Sequence, residues 1–217
     1  VLCGFGVGCL AGLLGVGGSF LLVPILHVVL GVPIETAVGS TACQLLGPST
    51  AAVLARKLTL KQLRLPLILA GGILVGVILG TSMLQEAGQF DDILINGRLV
   101  PANELLVLSV YLLLLTTIGV FALFEVWQHN RGRTIPRGSL ARLKIGPIDS
   151  FSELENGTVS IAVLSMFGLV TGLTAGLLGI SGGLILIPGL IYLLGMKSRQ
   201  AILVSLIVVW ITSLQGA

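Results

Sequence analysis

Charged and aromatic residues are both scarce in this chain of 217 residues: 10% are Asp, Glu, Lys or Arg, and 5% are Phe, Trp or Tyr. Soluble domains carry roughly 25% charged residues. Here 55% of the residues are hydrophobic and the mean hydropathy is +1.09. No soluble core could hide so much apolar surface, because a domain of this length still leaves a quarter or more of its unfolded surface exposed. Histidine is limited to two residues, and His-Glu-x-x-His is absent. An intramembrane hydrolase needs a nucleophile with its base, or a metal pair. The chain offers neither, so it is not expected to be an enzyme or to hold a metal or other cofactor. The three cysteines, Cys3, Cys9 and Cys43, all lie in apolar segments. An odd number there argues against a disulfide framework, and they read as small buried hydrophobes. No Gly-Lys-Ser/Thr follows a glycine-rich stretch, and "GLLGVGGSF" lacks the third glycine of Gly-x-Gly-x-x-Gly. A soluble phosphate-cradling fold is therefore not expected.

What the chain has in quantity is long apolar sequence, at 1–30, 36–55, 65–84, 105–127, 159–194 and 199–217. A membrane span takes about 20 apolar residues, so 36–55, 65–84 and 105–127 are each expected to cross once. The stretches 1–30 and 159–194 are long for one helix and short for two. Barrel strands alternate apolar and polar residues over about ten positions, whereas these runs are continuous. The expected class is an all-α polytopic membrane protein in contact with membrane lipid, of the inner (plasma) membrane in a bacterial-type cell. Val1 and Ala217 read as ends cut from a longer chain, with two further spans expected after Ala217.

The net charge of +3 would suit nucleic acid, but the basic residues sit between spans. "ARKLTLKQLRLP" (55–66) and "QHNRGRTIPRGSLARLKIGP" (128–147) are basic, while "QEAGQFDDILINGRLVPANE" (85–104) holds four acids and one arginine. The positive-inside rule puts the two basic loops in the cytoplasm and the acidic one outside, and no nucleic-acid partner is expected. "DSFSELEN" (149–156) reads as a solvated loop. The sequon Asn156-Gly157-Thr158 falls on the cytoplasmic side and is discounted.

An internal repeat is the strongest signal in the sequence. Shifting by 164 residues aligns 4–49 with 168–213, with 15 of 46 positions identical. The identities include Gly4/Gly168, Gly8/Gly172, Gly12/Gly176, Gly15/Gly179, Gly18/Gly182, Pro24/Pro188 and Gly31/Gly195. Leucine bias does not align seven glycines and prolines. The expected organisation is a first repeat at 1–127, a basic loop and linker at 128–158, and an incomplete second repeat at 159–217. Glu35 beside Pro33 in one copy, against Lys197 and Arg199 in the other, favours inverted over parallel repeats.

Within each copy the glycines divide into two groups. Gly4, Gly8 and Gly12, like Gly168, Gly172 and Gly176, recur every four residues, the spacing that lets helices approach closely in lipid. Gly15, Gly17, Gly18 and Ser19 precede Pro24, as Gly179, Ser181, Gly182 and Gly183 precede Pro188. Each interior glycine costs about 1 kcal/mol relative to alanine, and proline removes a backbone hydrogen bond, so these clusters favour a broken helix. Non-helical backbone at membrane depth survives where it is buried in protein or lines a watery cavity. Its freed N–H groups suit an anion, and paired breaks in two halves point to a transporter's midplane site. A purely structural kink is the competing account.

Polar residues within the spans add candidates. Thr36, Ser40 and Gln44 lie four apart on one helical face, with Thr41 beside them; interhelical hydrogen bonding and substrate lining both fit. Ser205 is among the polar residues left in the second copy. His27 is the one titratable group deep in an apolar run, and is either a satisfied interfacial histidine or a proton relay.

"GLLGVGGSFLLVPIL", its second copy "GLLGISGGLILIPGL", and the downstream "GVPIETAVGSTACQLLGPSTAA" resemble the TauE/SafE family of sulfite exporters. The resemblance implies a secondary permease for sulfur oxyanions or organosulfonates such as sulfite and sulfoacetate. It places the site at Gly15, Gly17, Gly18 and Ser19 with Gly179, Ser181, Gly182 and Gly183. Ser19 and Ser181 stand where the family carries glycine; both keep a backbone N–H and add a hydroxyl. The expected partner is thus a small anionic substrate, with a homodimer as a further possibility and coupling to a proton gradient as the energy source. The alternative is a structural or sensor membrane protein assembled through Gly-x-x-x-Gly packing.

Overall fold

The structure, a computed structural model, describes residues 19–55, 60–90, 93–95, 98–131, 138, 148–150, 158–180 and 182–216. The chain enters this region through helix α1 (Ser19–Pro24), which runs directly into a π-helix, π1 (Ile25–Val29). Helices α2 (Ile34–Leu54), α3 (Leu60–Ala87) and α4 (Ala102–Asn130) follow. Then come α5 (Ile161–Leu178), α6 (Gly183–Pro188) with a second π-helix, π2 (Gly189–Leu193), and α7 (Ser198–Gly216). Three helices are long and apolar enough to span a membrane, over Leu63–Ala87, Ala102–Gln128 and Ile161–Leu178. The chain is an all-α membrane protein. Helix α2, expected as a crossing, has the length at 21 residues. Its polar residues, Thr36, Ser40, Thr41 and Gln44 among them, leave it less apolar than those three.

Two short hairpins interrupt what the sequence suggested were plain loops. Strands β1 (Ile93–Ile95) and β2 (Arg98–Val100) pair antiparallel with Leu94 opposite Leu99. Strands β3 (Ile148–Ser150) and β4 (Thr158–Ser160) pair with Asp149 opposite Val159. Segment 149–156 is thus strand at its start. An Asn-Gly pair lies between the two strands in each case, a hairpin signal when β-formers flank it.

The tightest packing joins α3 to α5, which run parallel. Gly72 of α3 faces Ser165 and Leu169, Gly76 faces Leu169 and Leu173, and Gly80 faces Leu173 and Leu177. Gly168, Gly172 and Gly176 answer from α5, against Leu69, Ile73 and Val77. A Cβ added at any of these six glycines would lie closer than 3.0 Å to a backbone atom of the other helix. The second copy's four-residue glycine spacing therefore serves close helix approach inside the chain.

After α5 the chain folds back on itself. Phe167 of α5 occupies the space beside Gly189. Leu190, Leu194 and Met196 share one buried cluster with Val159 and Leu164 and with Leu65 and Leu69 of α3. Segment 161–193 therefore begins and ends at one end of the bundle, where the backbone N–H of Gly138 also reaches the Tyr192 carbonyl. A second cluster occupies the opposite end, joining Val23, Ile34 and Ala37 to Leu84 of α3, Val107 and Tyr111 of α4, and Leu177 and Leu178 of α5.

Local backbone features recur at the same 164-residue offset. Pro24 and Pro188 each lead into a five-residue π-helix. Proline takes away one ladder donor and its ring crowds the preceding turn; the wider π turn is how the helix continues. Gly31 at φ 66° and Gly195 at φ 73° then reverse the chain. Val32 N–H donates to the Leu26 carbonyl and Met196 N–H to that of Leu190, the same bond 164 residues on.

Candidate functional site at the glycine break

Between α5 and α6 the chain leaves helical geometry at Gly179 (φ 64°) and Gly182 (φ 68°), both left-handed. An L side chain pays about 1–2 kcal/mol in that region, which accounts for glycine at both positions. Gly179 has a second reason: a Cβ there would sit 2.7 Å from the Val38 Cα. Helix α6 restarts with Gly182 as its N-cap, and the Leu186 N–H donates to the Gly182 carbonyl at 2.8 Å. The earlier N–H groups of α6, from Gly183 and Leu184, are those that a helix start leaves without intrahelical partners.

A cavity of about 110 Å³ opens at this break, lined by Val38 and Gly39 of α2, Val77 and Thr81 of α3, Ala175 and Gly176 of α5, and Gly179, Ile180, Thr212 and Ser213. Its volume is several times the roughly 30 Å³ that a water molecule occupies in the liquid. Three hydroxyls reach it. Thr81 donates to the Val77 and Ile78 carbonyls, Thr212 to Val209 and Ser213 to Trp210, so each keeps acceptor capacity and can rotate to donate. The wall residues Val77 and Thr81 lie two and six residues, or about 3 and 9 Å, from Val75 at the middle of the apolar stretch of α3. A larger hollow of about 830 Å³ runs along α4 past Leu112, Leu113 and Phe121. Among the described residues it is lined by that one helix, and it is an open apolar face suited to lipid.

The structure separates the predicted polar residues. Thr41 is fully buried and donates to the Gly179 carbonyl at 2.9 Å, as well as to Val38 of its own helix. Ser40 and Gln44 are exposed, and the Ser40 hydroxyl is spent on Thr36 of the same helix. Ser205 is buried in α7 but does not line the cavity. Gly182 and Gly183 are buried at the start of α6. Gly15, Gly17, Gly18 and Ser181 lie outside the described residues; Ser19 opens α1.

A family model for the sulfite exporter TauE/SafE matches residues 1–217, the whole chain. The chain belongs to the TauE/SafE family. No curated protein and no solved structure gives a significant match. Membership makes this an integral membrane protein of a sulfur-compound exporter family.

In this TauE/SafE chain His27 is not solitary. Its Nε2 lies 3.0 Å from Oε1 of Glu104, in the first turn of α4, and its Nδ1 lies 2.9 Å from the Val32 carbonyl. A carbonyl only accepts, so Nδ1 carries a hydrogen. The contact with Glu104 needs a second proton, held on the ring or on the carboxyl group. At the other end of α4, the Tyr192 hydroxyl donates to Glu125, with the Tyr192 ring edge-on to Phe121 at 5.0 Å. Neither glutamate partner was visible in the repeat, because α4 has no counterpart in the second copy. Thr81 and Thr212 were also missed: a threonine in an apolar helix carries no mark of what it faces.

Proposed function

We propose that this protein is a secondary permease that exports a small sulfur oxyanion, sulfite in the first instance, across the plasma membrane. The substrate binds in the cavity at the glycine break. The observation that carries the reading is the cavity itself, which sets three hydroxyls beside the left-handed backbone break at Gly179. Sulfite presents three oxygen acceptors on one small anion, and the hydroxyls of Thr81, Thr212 and Ser213 in the cavity wall can offer it three donors. Organosulfonates such as sulfoacetate carry the same headgroup on a longer body. In the sequence repeat, Gly15, Gly17, Gly18 and Ser19 are the first-copy counterparts of the stretch from Gly179 to Gly183, which itself includes Ser181.

The same proposal includes two inverted repeats. Helix α4 runs once from one end of the bundle to the other, and π1 meets it at Glu104 while π2 meets it at Glu125. Equivalent segments thus finish at opposite ends, which supports inversion. The proton required by the His27–Glu104 contact supports proton coupling, with His27 as the exchanging group. Packing through Gly-x-x-x-Gly between chains is the less supported reading, because Gly168, Gly172 and Gly176 are already occupied by α3.

The test is flux of labelled sulfite, sulfoacetate and sulfate in vesicles holding the protein, with and without a pH gradient. Sulfite movement that quickens with the gradient is expected. Movement of none of the three anions, alongside transport of a cation, overturns the assignment.

A further inference from the structure

The two glutamate contacts of α4 stand outside the cavity's chemistry, yet they bracket it. Glu104 and Glu125 are 21 residues apart on one continuous helix, about 31 Å at the rise of an α-helix. That matches a hydrocarbon core of about 30 Å, so the contacts fall at the two membrane boundaries. Both partners come from π-helices, a rare geometry found frequently at functional sites. Each contact fastens a different apolar cluster. His27 belongs to the segment that closes over Val23, Ile34 and Val107, and Tyr192 to the one that closes over Leu190, Leu194 and Leu65. The cavity lies at the seam: Val38 and Ile180 are members of one cluster, and Val77 packs against the other. Helix α4 is otherwise loosely held, with 17% of its apolar stretch buried against 44% for α5.

We propose that these contacts are two latches, His27–Glu104 shutting the outer route to the cavity and Tyr192–Glu125 the inner one, so that releasing either opens the cavity to its own side alone. The proposal rests on the permease reading for its purpose, but its demand is separate: access must become one-sided whatever the cargo is. Each latch joins a cluster to the same helix, which gives the two ends a common attachment without a direct contact between them.

The experiment uses the full chain with Cys3, Cys9 and Cys43 replaced by alanine and Ser213→Cys as a reporter in the cavity wall. Right-side-out and inside-out vesicles are treated with a membrane-impermeant methanethiosulfonate. Glu104→Ala is expected to raise the labelling rate from outside by about tenfold and leave the inside rate unchanged, the scale of losing one such contact. Tyr192→Phe, which keeps the ring on Phe121, should do the reverse. His27→Arg, which keeps a cation against Glu104, should label as the parent does. Should Glu104→Ala be lost from the membrane, His27→Leu carries the same expectation. Unchanged labelling, or equal increases from both sides, overturns the latches and leaves the contacts as structural anchors. One-sided labelling of the reporter, with no sulfite flux in the chain that keeps Ser213, would instead sink the substrate assignment alone.

Discussion

Thr41 on α2 donates its hydroxyl to the carbonyl of Gly179, 138 residues away, at 2.9 Å. This bond ties the first half of the chain to the broken backbone of the second. It also satisfies a carbonyl freed where α5 ends, which burial would otherwise penalise.

Thr41→Val keeps the shape and removes the donor. A loss of about 1–3 kcal/mol is expected, the cost of leaving a buried carbonyl unpaired, read as a lower melting temperature of the detergent-purified protein. Ser40→Ala, one residue away on the exposed face, should stay within about 0.5 kcal/mol of the parent. Equal effects would mean that the Thr41 bond contributes nothing special.

The two left-handed glycines should respond unequally. Gly182→Ala meets only the Ala175 Cβ at 3.8 Å, so it should cost the conformational term of about 1–2 kcal/mol. Gly179→Ala carries that term and a collision with Val38 as well. Thermal unfolding of the two variants side by side checks the order; a less stable Gly182→Ala contradicts the geometry.

Close approach of α3 and α5 predicts another contrast. Gly172→Ala forces a methyl into the backbone of Ile73 and should cost at least the 1–3 kcal/mol or so of overpacking. Gly71→Ala, on the same helix as Gly72 but with open space beside it, should be neutral or slightly stabilising. Yield of monodisperse protein and its melting temperature report both.

Ser213→Ala and Thr81→Val probe the cavity rather than the fold. Each removes a hydroxyl that also bonds its own helix, so stability should move by about 1 kcal/mol or less. The KM for sulfite in vesicles should rise about ten- to a hundredfold, as expected for one lost hydrogen bond to an anion. An unchanged KM in both variants would move the site elsewhere.

In the second copy the break and the helix contacts were legible in the sequence, because both depend on glycine, whose spacing is visible without a fold. The partner face was present too: Gly72, Gly76 and Gly80 repeat at the same interval, yet spacing does not say which two stripes meet. The polar candidates fared less evenly. Thr36, Ser40 and Gln44 do share a face, but it is the exposed one; Thr41, a single step round the helix, turns to the break. A period of 3.6 sorts residues into faces and leaves their assignment to packing. Glu104 read as part of an acidic loop, and only the position of π1 brings His27 against it.

The glycine contact between α3 and α5 limits how this protein can move. With carbonyls of each helix seated where the other lacks a side chain, sliding one past its neighbour would drive those carbonyls into the side chains that flank each glycine. Small rotations about the shared axis meet no such obstacle. The pair is therefore suited to act as a spindle, and any change of shape that exposes first one membrane surface and then the other has to be a swing of the remaining helices around it.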